Sequence, residues 1–159
     1  MVRHVTMDLA LLNSFILAAK RDTYVGNGSP AASTRSGSHD IVFSNGDLSY
    51  RDSYFGGTDF LGQEVVWKGE EPVWAMNYYG YILRPDLIDA ARAGWTIQAA
   101  LSAMYEEGRF LGGFDWQRQH GIYQDRSTGD VAHFSGRETI SVSGVVAYAL
   151  DYFGGLVKP

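Results

Sequence analysis

The chain has 159 residues, a formal charge of -5, a pI of about 5.2, 14% aromatic side chains and no cysteine. That length suits one domain able to bury most of the surface its unfolded form exposes. With no basic cluster beyond Lys20-Arg21, the footprint of a nucleic-acid binder is excluded, and the lack of cysteine excludes disulfides, thiolate metal sites and cysteine nucleophiles while pointing to the cytoplasm.

Leu9, Leu12, Phe15, Ile16 and Ala19 recur at helical spacing, with Asp8 before them and Lys20-Arg21 after, so the pattern predicts a first helix from Met7 to Arg21. Leu9 to Ala19, behind Arg3 and His4, superficially resembles a signal peptide, but Asp8, Asn13 and Ser14 break it and Lys20-Arg21 stands where a cleavage site belongs. It is also too short to cross a bilayer, and no membrane partner is expected. Residues 26–38, rich in Gly, Ser, Ala and Thr, read as an inserted loop. The Gly26-Asn27-Gly28-Ser29 run lacks a Gly-Lys-Ser/Thr ending and follows a helix, so it is no phosphate loop.

The period then changes to two. Asp40–Ser44 and Leu48–Tyr54, joined at Asn45-Gly46, are expected as one hairpin; Phe60–Lys68 and Val73–Leu83, joined across Gly69-Glu70-Glu71-Pro72, as another. Pro85-Asp86 is read as opening a second helical region that is weakened at Gly94 and stops at Gly108. After Phe110–Trp116, strands are expected around Gly121–Asp125, Val131–Val142 and Val145–Phe153.

This order, a helix and four strands twice over, matches an internal repeat. At an offset of 74 residues Phe60 meets Phe134, Gly62 meets Gly136, Glu64 meets Glu138, Ala75 meets Ala149, Tyr78 meets Tyr152 and Gly80 meets Gly154. A repeat fixes architecture before any residue has a role. The expected fold is α+β: internally duplicated helix-plus-four-strand units, residues 1–84 and 85–159 of one domain, forming antiparallel sheet whose inner face the helices cover.

Thr23-Tyr24-Val25-Gly26, Ser36-Gly37-Ser38-His39-Asp40, Tyr50 to Gly57, Gly62-Gln63-Glu64 and Pro72 to Gly80, with the closing Tyr152-Phe153-Gly154-Gly155-Leu156, together resemble the bacterial family known as domain of unknown function 5680. That family implies no assigned activity. Some of its members resemble fusions with an N-terminal helix-turn-helix, which implies a sensing or regulatory module; here about seven residues precede the first helix, so no DNA-binding unit is expected.

Closing the second hairpin symmetrically between Glu70 and Glu71 places Glu64 opposite Asn77, and the same register places Glu138 opposite Asp151. Facing carboxylates share a proton or attract a cation, which makes Glu138 with Asp151, and Glu64 with Asp52, the acid/base candidates. A one-residue slip would put the members of each cross-hairpin pair on opposite faces. The structural alternative has both glutamates capping backbone groups at a bulge beside Gly62 and Gly136. Trp67, Trp74 and Tyr78, with the polar Asn77, Arg51 and His39, are the candidate ligand-binding residues. His39 beside Asp40 is read as a strand-entry feature, and no histidine pair has ligand spacing, so no metal and no cofactor is expected.

The leading expectation is a non-enzymatic module that binds or senses a small ligand. The alternatives are a small hydrolase or isomerase using the strand carboxylates, and a homodimer or other homo-oligomeric interaction protein.

Overall fold

The computed structural model describes residues 6–26 and 28–159; Arg3, His4 and Asn27 lie outside the described residues. Helix α1 (Leu9–Lys20) starts at an Asp8 cap whose carboxylate accepts from the Ala10 and Leu11 amides. It buries Leu12, Phe15, Ile16 and Ala19, each large apolar side chain contributing about 1.5–3 kcal/mol. The chain then widens into a π-helical turn, Arg21–Val25.

Nine antiparallel strands follow among the described residues: β1 (Ser29–Ala31), β2 (His39–Asn45), β3 (Leu48–Gly56), β4 (Phe60–Lys68), β5 (Glu71–Ile82), then β6 (Phe114–Arg118), β7 (Gly121–Asp130), β8 (His133–Val142) and β9 (Val145–Leu156). Helix α2 (Ala90–Glu106) lies between β5 and β6. The strands form one sheet, β1-β2-β3-β4-β5-β9-β8-β7-β6, with α1 packed on β2 and β3 and α2 on β6, β7 and the π turn. Both helices lie on one face, so this is an α+β fold. No described helix is long and apolar enough to cross a membrane.

Three expectations shift. The 26–38 loop contains the short edge strand β1, where Pro30 is tolerated because an edge position leaves an amide unpaired anyway. Pro85-Asp86 forms a turn, and α2 starts later because the Asp89 carboxylate accepts from the Arg92 amide. The helix runs unbroken through Gly94, where a side chain would meet nothing within 4 Å.

The hairpin register also changes. The β4–β5 turn is Gly69-Glu70, with Gly69 at φ 61° and Lys68 facing Glu71, the two-residue geometry that favours glycine first. An extra residue, Val73, then bulges out of β5, and Ala147 does the same in β9. The net result is a slip of one residue: Gln63, not Glu64, faces Asn77, and Arg137, not Glu138, faces Asp151.

Candidate functional site

The slip leaves Asn77 and Asp151 on the far face, while Glu64 and Glu138 lie buried on the helix-covered one. Glu64 lies opposite Asp52 of β3, and Glu138 opposite Asp125 of β7. All four carboxyls are buried, Glu64 and Asp52 to 1% exposure. Each is satisfied by a phenol: Tyr50 donates to Glu64 at 2.5 Å, Tyr123 to Glu138 at 2.5 Å, Tyr78 to Asp52 at 2.7 Å and Tyr152 to Asp125 at 2.7 Å.

The glycines explain how the phenols get there. Tyr78 and Tyr152 are direct neighbours across the central β5–β9 pair, and each ring lies over the glycine of the next strand outward, Gly62 or Gly136. A methyl group on either glycine would overlap the tyrosine ring. Glycine here leaves space for a side chain to reach its carboxylate, so the reading of the glutamates as caps of a bulge beside Gly62 and Gly136 is replaced. The bulges lie elsewhere, between Val66 and Trp67 and between Ile140 and Ser141.

The two carboxyl pairs differ in what neutralises them. Lys20, at the end of α1, places its ammonium 2.9 and 3.2 Å from the two Glu64 oxygens, and the Tyr24 hydroxyl stands 3.1 Å from both Glu64 and Asp52. Rings of Tyr24 and Phe110 flank the ammonium at 5.5 and 5.3 Å. Desolvation, then the nearby Glu64 charge, pushes Asp52 up to about 7. Asp125 and Glu138 have no lysine or arginine in an ion pair among the described residues. Burial, then Asp125, pushes Glu138 up to about 7, and burial also raises Asp125.

Between this floor and α2 is a cavity of about 440 Å³. Glu64, Asp125 and Glu138 reach it, with Lys20, Tyr24, Tyr78, Tyr105, Tyr148 and Tyr152 among its polar-tipped walls and Phe60, Met76, Ile97, Leu101, Phe110 and Leu150 among its apolar ones. Its exposed lining residues, Gly57, Thr58, Ala90, Gly94 and Gln98, mark the mouth.

Of the residues singled out from sequence, Glu64, Glu138 and Tyr78 line the cavity, and Asp52 lies directly behind Tyr78 and Tyr24. Trp74 is fully buried beside the cavity, its indole donating to the Val131 carbonyl at 2.9 Å and its ring stacked on Phe134. The rest lie elsewhere. Asp151 is exposed on the far face and pairs with Arg137 at 2.6 Å, so it is no partner for Glu138. Asn77 bonds Gln63 on that same far face, where Trp67 faces Ser49. Arg51 there holds Asp40 at 2.6 Å. Desolvation raises the Asp40 carboxyl, but hydrogen bonds from Ser38, Arg51, Thr34 and Ser53 outweigh it and hold it well below the usual carboxylate range. His39 is exposed against the Tyr54 ring at the sheet's edge, away from the cavity.

Lys20, Tyr24, Tyr50, Tyr105, Asp125, Tyr123 and Tyr148 were not singled out from sequence. Lys20 had a signal: Leu12, Ile16 and Lys20 share one stripe at four-residue spacing, and the first two are fully buried. Tyr148, Leu150 and Tyr152 likewise alternate onto the covered face.

No curated protein and no solved structure matches the chain. The family described as "Domain of unknown function (DUF5680)" matches residues 52–157, a span that takes in both carboxyl pairs, all of α2 and most of the cavity walls. The chain belongs to that family.

Proposed function

We propose that this protein is a binding or sensing module that takes up a small, largely apolar molecule in the cavity beneath α2. The observation that carries the reading is an internal space of about 440 Å³ with mostly apolar walls, a mouth, and a floor where a few buried polar groups converge. Ligand pockets are built this way, typically at about 300–1,000 Å³. A thermal-shift screen against aromatic and aliphatic metabolites, run in parallel on Ile97→Trp to fill the space, tests it. A ligand at about a hundredfold excess over its Kd adds about 2.7 kcal/mol. Hits that survive unchanged in Ile97→Trp, or a folded protein with no hits, would remove the reading.

A second reading is favoured by one observation: Glu138 lies on the cavity wall and is held at about 7, where a general acid or base works best. In that case the molecule bound is converted, with Asp125 as the second carboxyl. Incubating any ligand found above with wild type and Glu138→Gln, and following it by NMR, separates the two; an unchanged spectrum over a day argues for binding alone.

We further read the halves 1–84 and 85–159 as duplicated units. What supports this is that Tyr50, Asp52, Gly62, Glu64 and Tyr78 correspond in register and in bonding to Tyr123, Asp125, Gly136, Glu138 and Tyr152. An experimental structure in which β3–β5 and β7–β9 failed to superpose would overturn it. A homodimer through the far face of the sheet is consistent with exposed Leu61, Tyr79 and Phe153 there; light scattering that gives a monomer at high concentration would exclude it.

A further inference from the structure

Resting on the binding reading above, we propose that the cavity's occupant is a protonated organic amine with an apolar tail, its ammonium received by Glu138, Asp125 and the Tyr148 hydroxyl.

The charge inventory beneath α2 is one-sided. Four carboxyls are buried there, and the one buried cation among the described residues, Lys20, is already bonded to both oxygens of Glu64. Glu138 and Asp125 face each other across β7 and β8 with one phenol each and no ion pair among the described residues. Opposed carboxylates on one sheet face are relieved by a proton or by a cation. Burial, then the Asp125 charge, favours the protonated form of Glu138. A bound cation would take the proton's place.

A second observation, independent of the acids, points to the same spot. The Tyr148 hydroxyl is buried, lines the cavity and has no hydrogen-bond partner among the described residues, with only 1% of the residue exposed. Buried hydroxyls are almost always satisfied, and an orphan one calls for an explanation. Tyr148 stands on the same face of β9 as Leu150, which is paired with Glu138, and Glu138 is close enough to act on it electrostatically. An ammonium carries three donors, which suits two carboxylates and one phenol oxygen.

The walls decide the remainder of the ligand. Ile97, Leu101, Phe110 and Leu150 leave little for a polar tail to bond. An anion would find Lys20 already neutralised. A bare metal ion is poorly served, since among the described residues no group of three or more His, Asp or Glu is placed to hold one.

The test uses three probes of one shape on the full chain at neutral pH: 4-phenylbutylamine, 4-phenylbutan-1-ol and 4-phenylbutanoate, titrated calorimetrically. The amine is expected to bind at least about tenfold more tightly than the alcohol, since a charge-assisted bond is roughly twice as strong as a neutral one, and the acid to bind least. Glu138→Gln should weaken the amine by about tenfold and the alcohol by much less, a cooperative thermal melt showing that the variant is folded. Tyr148→Phe should weaken the amine several-fold without lowering the melting temperature. Equal binding of amine and alcohol, or an amine affinity indifferent to Glu138→Gln, overturns the amine assignment and leaves the binding reading standing. Failure of all three probes overturns both.

Discussion

Replacing Lys20 by Met removes the charge that neutralises Glu64 and little of the stem that packs beneath α2. The ammonium is 5% exposed as a residue and lies 2.9 and 3.2 Å from carboxylate oxygens that are themselves almost fully buried. Without it, Glu64 keeps the Tyr50 and Tyr24 hydroxyls but faces Asp52 with no cation at hand. Breaking a buried pair by removing one partner costs about 3–5 kcal/mol. In a protein of this size that lowers Tm by roughly 6–20 °C, a large share of the 5–15 kcal/mol that holds a typical domain together. Urea denaturation at neutral pH gives the number directly, and an unchanged m-value shows that the same surface unfolds. The double variant Lys20→Met/Glu64→Gln, which removes the stranded charge and keeps a hydrogen-bonding amide, should be more stable than Lys20→Met alone by about 1–3 kcal/mol. A loss under about 1 kcal/mol for Lys20→Met, the value of an exposed pair, would refute the burial of this ion pair, and a double variant no better than the single would refute its partner.

Gly62→Ala and Gly136→Ala should each lose about 1–3 kcal/mol by overpacking against Tyr78 and Tyr152; thermal melts check this, and neutral melts would mean the rings are not where they are described. Gly94→Ala should gain about 0.5–1 kcal/mol, because the position is helical and open, and a loss would show that glycine is required there. Asp52 and Glu138 titrate near 7 in the folded protein but near 4 when unfolded. Between those values the native state holds protons that the unfolded chain has lost, so stability falls as pH rises through this window and levels off above 7. Denaturation should therefore give a protein more stable at about pH 5 than at about pH 8, by at least about 2 kcal/mol; a flat or rising profile contradicts the buried, raised carboxyls. Asp151→Asn, which breaks only the half-exposed pair with Arg137, should change stability by less than about 1 kcal/mol in the same assay.

Much of this was legible in the residues. Period-two alternation and the hairpin glycines placed most strands, and the offset of 74 residues drew the eye to Glu64, Gly62 and Tyr78 with their counterparts. What they do together was not legible. The hairpin closes at Gly69-Glu70 and bulges at Val73, and those two irregularities decide that Glu64 meets Met76 while Asn77 faces away. No local propensity locates a bulge of that kind. Asp125 is hidden because Tyr123 and Asp125 are one residue out of step with that offset: the chain between the paired Gly129 and Phe134 is one residue longer than that between the paired Gly56 and Phe60. From sequence Lys20 is a helix-terminal charge, which is where a lysine at the end of a helix ordinarily belongs. Its burial depends on Glu64, distant in sequence, and only the packed fold brings the two together. The aromatic residues of β5 divide by face: Tyr78 and Trp74 inward, Tyr79 and Tyr81 outward, as strict alternation requires once the register is known.

The most direct measurement of whether the inner cavity is a binding site is a tyrosine-ring NMR titration with 4-phenylbutylamine, using selectively labelled protein. Saturable shifts confined to Tyr24, Tyr78, Tyr105, Tyr148 and Tyr152, and lost in Ile97→Trp, are the expected result, because these rings line the cavity. Shifts confined to the outward-facing Tyr79 and Tyr81, with the inner rings unmoved, would contradict it.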